Sequence, residues 1–194
     1  MFSFFRDALR IFFGPRRAVF LLACATGLLF LGTYGLMGTF LSEACGLAPT
    51  QAGLVMMLYG VFCLIGGAIS GGLGAGRGLA HVIAIGEISG VVSALALLVS
   101  AYSASWVPAL VAAGALGLGY ILVQPTLVTL SMDADPAQAG LCTGLIGFAV
   151  FACGGMGSTL GTLILGAAGY PALWAIAAVC LLVQLVVSRH TLKA

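Results

Sequence analysis

One acidic side chain, Glu87, stands well inside an apolar stretch of this 194-residue sequence, and an ionisable group at that depth is a candidate for function. Low-dielectric surroundings favour the uncharged carboxyl, so Glu87 offers the chemistry of a proton-coupled cycle; a neutral acid held by hydrogen bonds, or a pair with Arg77 or His81, is the structural alternative. Tyr120 and Gln124, one helical turn apart and followed by Pro125, form a second polar set. A buried amide needs partners or water. Pro125 withholds an N–H from the carbonyl one turn back, near Ile121, which predicts a bend there. Glu43 is expected as a solvated charge at a segment end, and His81 and His190 as boundary residues.

Catalytic constellations are missing. The sequence has no G-x-S-x-G nucleophile site, no deeply placed His to act as a base, and no His, Cys or carboxylate cluster at metal-ligand spacing. Six cysteines (Cys24, Cys45, Cys63, Cys142, Cys153 and Cys180) form no C-x-x-C pair. All but Cys45 lie in apolar runs, where a thiol behaves as a small hydrophobe. Neither an enzyme nor a metal or other cofactor is expected. The absence of asparagine removes the paired Asn-Pro-Ala loops of water channels.

The elements that must position these groups follow from composition. The chain is 62% hydrophobic and 6% charged with mean hydropathy +1.22, against roughly a quarter charged residues in a soluble domain. Apolar side chains must therefore face lipid, where only helices or closed barrels satisfy their backbone groups. Long continuous runs rather than short alternating ones select helices. A net charge of +2 without a basic patch leaves nucleic acid aside as a partner and the lipid bilayer as the primary one.

About 20 apolar residues cross the hydrocarbon core, and six segments qualify: Ala18–Ser42, Gln51–Leu73, Ala80–Tyr102, Ser105–Leu130, Ala139–Leu165 and Pro171–Ser188. The first, of about 25 residues, exceeds the ~7–15 of a signal-peptide core and is expected to remain as a spanning helix. Residues 1–17 precede it. Ser3, Arg6, Asp7 and Arg10 share one helical face there, with Phe2, Phe5, Leu9, Phe12 and Phe13 elsewhere, the pattern of an amphipathic interfacial helix. Lys and Arg collect in short cytoplasmic loops. Arg6, Arg10, Arg16, Arg17, Arg77, Arg189 and Lys193 all fall on one side when the crossings alternate. Both termini are expected in the cytoplasm, and the loop carrying Asp133 and Asp135 lies on the same side without a cation. A bacterial cytoplasmic (inner) membrane is the expected location.

An internal repeat organises the six segments. PTQAGL (Pro49–Leu54) returns 87 residues later as PAQAGL (Pro136–Leu141), and the same offset pairs Gly27 with Gly114, Gly32 with Gly119, Gly60 with Gly147, Gly67 with Gly154 and Gly74 with Gly161. Residues 18–104 and 105–191 are thus two three-helix units. An odd number of crossings makes the second enter from the opposite side, an inverted-topology repeat of the kind found in secondary transporters. Gly67, Gly71 and Gly74, and likewise Gly154, Gly157 and Gly161, give smooth faces on which the second and fifth segments can approach backbone to backbone, as packing or gating surfaces.

Tyr34 through Leu73 with GLAPTQAGL (Gly46–Leu54), then GGLGAGRG (Gly71–Gly78) and Gly86, resembles the second half of a major facilitator superfamily transporter; so does DPAQAGLCTGLIGFAVFACGGMGSTLG (Asp135–Gly161). The family's cytoplasmic charge latch after the second helix is degenerate here. Ala75 and Gly76 stand where an aspartate and a basic residue belong, and only Arg77 remains. The resemblance implies an all-α membrane protein with six transmembrane helices as a 3+3 inverted repeat, half of a major facilitator fold. It implies a small-molecule substrate, and a partner: a parallel homodimer or a second six-helix half, since one half cannot enclose a pathway. It also implies that the first and fourth helices line the cavity, offering Thr26, Phe30, Thr33, Tyr34, Met37, Tyr120 and Gln124. The second and fifth would meet the other half, and the third and sixth would lie outside.

Overall fold

The computed structural model describes residues 2–192, with side chains from residue 5 onward, so Lys193 and the side chains of Phe2 and Ser3 lie outside the described residues. A short helix, α1 (Phe2–Phe12), comes first. Then follow α2 (Arg17–Glu43), α3 (Pro49–Gly74), α4 (Leu79–Ser103) and α5 (Val107–Met132). The last helical stretch, Ala139–Thr191, is broken at Gly169, whose φ of 79° and ψ of 175° divide it into α6 (139–168) and α7 (171–191). Only glycine adopts that conformation without strain, and Pro171 is preset for the first turn of a new helix. The 53 residues of this stretch would reach about 80 Å as one rod, more than twice the hydrocarbon thickness, and the break divides it into two helices, each of spanning length. Each of the six apolar segments is helical, the fourth from Val107 onward. The described residues contain no strand, and the chain is a multi-pass membrane protein.

The repeated hexapeptide does local work at two helix starts. Pro49 opens α3, and the Gln51 side chain accepts a hydrogen bond from Ala48 N at 3.0 Å, so one unpaired donor of the helix start is met. In the second copy Asp135 caps the 3₁₀ turn Pro136–Gln138 by accepting from Ala137 N at 3.2 Å, and Gln138 Nε2 reaches back to Asp135 Oδ2 at 3.2 Å. Both glutamines tie the entry of a helix to the residue three before them.

Two close seams hold the bundle. Along α2 and α6, a Cβ on Gly27 would lie 2.1 Å from Val150 O, and one on Gly157 would lie 2.1 Å from Leu28 O. Along α3 and α5, a Cβ on Gly117 would lie 2.1 Å from Tyr59 O and one on Gly66 2.4 Å from Ile121 Cγ2. Such approaches need glycine and bring backbones into direct contact. α4 joins α5 where Gly119 meets Gly86 O at 2.6 Å from a built Cβ. α7 closes the bundle, its Trp174 fully buried and edge-on to Phe40 at 5.5 Å.

Within the chain, these seams join the second and fifth helices to other helices rather than to each other. Gly154, Gly157 and Gly161 pack on Leu31, Leu28 and Leu36 of α2, while Gly67 faces Ile121 of α5 and Gly71 has nothing within 4 Å. The complementary bulk stands on α2 and α5, so α3 and α6 are each taken up by a different neighbour. A second group of glycines, Gly53 and Gly60 on α3 and Gly140, Gly144 and Gly147 on α6, also has nothing within 4 Å. α5 continues as one helix through Pro125.

α2 contains a π-helical turn, Gly27–Leu31, a rare form that inserts into α-helices and recurs at functional sites. It coincides with the seam to α6. α1 packs back on the bundle through buried Ile11 and through Phe12, whose ring lies 5.4 Å from that of Phe20. Phe5, Leu9 and Phe148 border an apolar groove between α1 and α6. Arg16 Nη1 stands 3.9 Å from Asp133 Oδ2, so the acidic loop has its counter-charge on the segment before α2.

Candidate functional site

Three tyrosines from three helices make a row. Tyr34 on α2 lies against Tyr59 on α3 with ring centroids 4.4 Å apart, and Tyr59 is 6.2 Å from Tyr120 on α5. All three are half-buried; their rings pack on a core of Phe30, Leu116 and Leu181. The Tyr59 hydroxyl neighbours Cys63, whose thiol donates to Gly117 O at 3.3 Å. Half-buried Gln124 lies one turn beyond Tyr120, beside exposed Pro125. Phenolic rings and an amide give a surface that offers hydrogen bonds and flat apolar contact together.

The expected cavity set divides on this geometry. Tyr34, Tyr120 and Gln124 are partly open, whereas Thr26, Phe30, Thr33 and Met37 are buried in the bundle. Phe30 fills the space over Gly90 and Gly119, 2.5 and 2.7 Å from Cβ atoms built there, so those glycines exist to admit its ring. Thr33 borders a crevice with Gly157, Leu160 and Trp174. The four buried residues share one face of α2 by i, i+3, i+4 spacing; that face points to the core, and Tyr34 stands off it.

Glu87 is the other centre. It is fully buried, with Ser188 Oγ of α7 donating to its Oε2. Gln184, one turn before Ser188, lies against the same carboxyl and donates through Nε2 to Thr26 Oγ1 at 2.9 Å. Thr26, Gln184, Glu87 and Ser188 therefore form a polar chain joining α2, α7 and α4, each residue under 5% exposed. Glu87 Oε1 and Gln184 Oε1 have no partner among the described residues. An unmet buried polar group costs about 1–3 kcal/mol. The partners differ from those expected of Glu87, which makes no ion pair with Arg77 or His81. Arg77 is exposed in the α3–α4 connection. Glu43, at the end of α2, accepts from Tyr170 Oη at 2.7 Å.

Tyr59, Gln184 and Ser188 were not singled out by sequence reasoning. Gln184 had a signal: it is an amide inside the last apolar run with Ser188 one turn on, and the rule applied to Gln124 applies to it equally. Among the described residues no group of three metal-ligating side chains converges.

Taken together, the chain has the architecture of a helical membrane protein with a half-open row of tyrosines and a separate buried polar chain. No protein-family model and no curated protein matches the sequence. Among solved structures the fold matches the POT family transporter PepTSo, determined in meso, with a TM-score of 0.67 and 20% identity over 93% of this chain. The chain spans 38% of the length of that transporter.

Proposed function

We propose that this chain is one six-helix half of a secondary active transporter of the major facilitator type, moving small neutral or amphipathic solutes by alternating access. The carrying observation is the row Tyr34–Tyr59–Tyr120 with Gln124, half-open on a fold shared with part of a transporter. A polar and aromatic face in an otherwise apolar bundle suits a solute path completed by a second half. α2 and α5 supply its outer members, the helices that line the path in the family.

Reciprocal contacts support the 3+3 inverted repeat. Gly27 meets Val150; 87 positions away in the opposite sense, a Cβ on Gly114 would meet at 3.1 Å the ring of Phe62, the chain neighbour of the corresponding Cys63. Gly119 meets Gly86, and the corresponding Gly32 and Leu173 border one crevice. The Arg16–Asp133 pair fits a shared cytoplasmic face for the N-terminal segment and the α5–α6 connection. Residues 1–17 would then lie in the interface.

A second copy, parallel and related by a twofold axis, is the partner that completes the path. Gly53 and Gly60 on α3, and Gly140 and Gly147 on α6, are bare of neighbours, which leaves backbone free for a facing helix. A twofold contact sets α3 of each copy against α6 of the other. The test is a cysteine-free background carrying Gly60→Cys with Gly147→Cys, cross-linked in native membranes, alongside solute uptake into proteoliposomes. A covalent dimer from the double variant and uptake by the protein alone are expected. Cross-links arising only from α4 or α7, as at Val92 or Val183, or a monomer that moves nothing, refute the proposal.

A further inference from the structure

Glu87 Oε1 and Gln184 Oε1 are shut away from solvent, their side chains lie against each other, and neither atom has a partner among the described residues. An amide oxygen only accepts, and an ionised carboxylate only accepts. Two buried acceptors on interacting side chains have no donor, and one hydrogen on the carboxyl, directed at the amide oxygen, would remove both deficits. The rest of the chain is oriented to match. Ser188 already donates to Oε2, and Gln184 spends an N–H on Thr26, so its oxygen remains for the carboxyl. The cation whose charge acts on the carboxyl, Arg189, does not reach it with a hydrogen. Arg189 on α7 is exposed and makes no ion pair with Glu87 within 4.0 Å; His81 lies further along α4; α2 contributes the Thr26 hydroxyl; α5 brings Gly119, Leu122 and Val123 to the adjacent Gly86.

We infer that Thr26, Glu87, Gln184 and Ser188 form a site that holds one proton inside the bundle at neutral pH, on Glu87 Oε1 and hydrogen-bonded to Gln184 Oε1. Release of the proton has a matching arrangement. The amide turns over, the Thr26 hydroxyl donates to Gln184 Oε1, and Nε2 donates to the carboxylate. Oxygen and nitrogen of an amide are near-isosteric, so both protonation states fit the same helix positions. It lies on α2, α4 and α7, apart from the tyrosine row. The inference does not rest on the transport reading, since a membrane subunit that moves nothing can hold the same proton.

Infrared spectroscopy of the full chain in lipid tests this directly. The wild type at neutral pH shows a protonated-carboxyl C=O band, which Glu87→Gln abolishes and Gln184→Leu shifts by removing its acceptor. Glu87→Gln keeps a donor toward Gln184, so its thermal midpoint stays at the wild-type value while that of Glu87→Ala falls. Absence of the band, its insensitivity to Gln184→Leu, or its loss on adding sodium at constant pH, which would mark a metal-cation site, overturns the inference. Uptake and the band are separate readouts, so failure of either is recognised without the other.

Discussion

Replacing glycines one at a time by alanine separates the two classes that the bundle contains. A Cβ on Gly157 would stand 2.1 Å from Leu28 O, where contacts below 3.0 Å force something to shift. The obstacle is backbone, so α2 and α6 must part by about 1 Å, and overpacking of this kind costs ~1–3 kcal/mol or more. Alanine returns up to ~1 kcal/mol of helix propensity. A net loss of about 2 kcal/mol corresponds to ~4–8 °C for a chain of this size. Gly27→Ala and Gly117→Ala meet backbone at the same 2.1 Å and should behave alike. Gly53→Ala and Gly60→Ala, with nothing within 4 Å, should hold or slightly raise the midpoint. Combination sharpens the test: Gly27 and Gly157 share a seam, so the pair should cost less than the sum, whereas Gly117 lies on the other seam and should add fully. Thermal unfolding of the purified protein, followed by circular dichroism, reads all of these. Equal midpoints for Gly157→Ala and Gly60→Ala would refute the two-seam packing.

Two further outcomes are expected. Gly169→Ala forces a φ of 79° and ψ of 175° on a residue with a Cβ and should cost ~1–3 kcal/mol, seen as a lowered midpoint, while Gly166→Ala, with nothing within 4 Å, should not. Asp133→Asn removes an exposed pair with Arg16 and should change stability by less than ~1 kcal/mol; a larger loss in the same unfolding assay would show that the pair clamps the α5–α6 connection.

The long apolar helices were legible because hydropathy acts over ~20 residues and needs no knowledge of neighbours. The repeated hexapeptide was visible because it has a local job: Gln51 meets Ala48 N and Gln138 reaches back to Asp135, contacts within a few residues that a local motif records. What failed was the assignment of faces. Thr26, Phe30, Thr33 and Met37 share a helical face, but spacing does not say whether that face meets core or cavity when every face is apolar. The glycines of the second and fifth segments show the same limit: a small residue marks a close approach without naming its partner, which here is α5 for Gly67 and α2 for Gly154. Glu87 is visible in the sequence as an acid within an apolar run. Its partners escaped notice because Gln184 and Ser188 are about a hundred residues away, and only the third dimension brings them together. The π turn at Gly27–Leu31 left no mark in composition.

That turn makes α2 a spliced shaft keyed to different neighbours at its two ends. Before the splice, Thr26 is locked to Gln184; beyond it, Tyr34 lies on Tyr59. Residues in an α-helix advance about 100° each, so a single-residue deletion within 27–31 would swing everything from Gly32 onward by roughly that angle while leaving Thr26 in place. Insertions and deletions in this stretch therefore act as phase changes. Two chains alike at every position but differing by one residue of length here would present different surfaces to whatever faces the tyrosines.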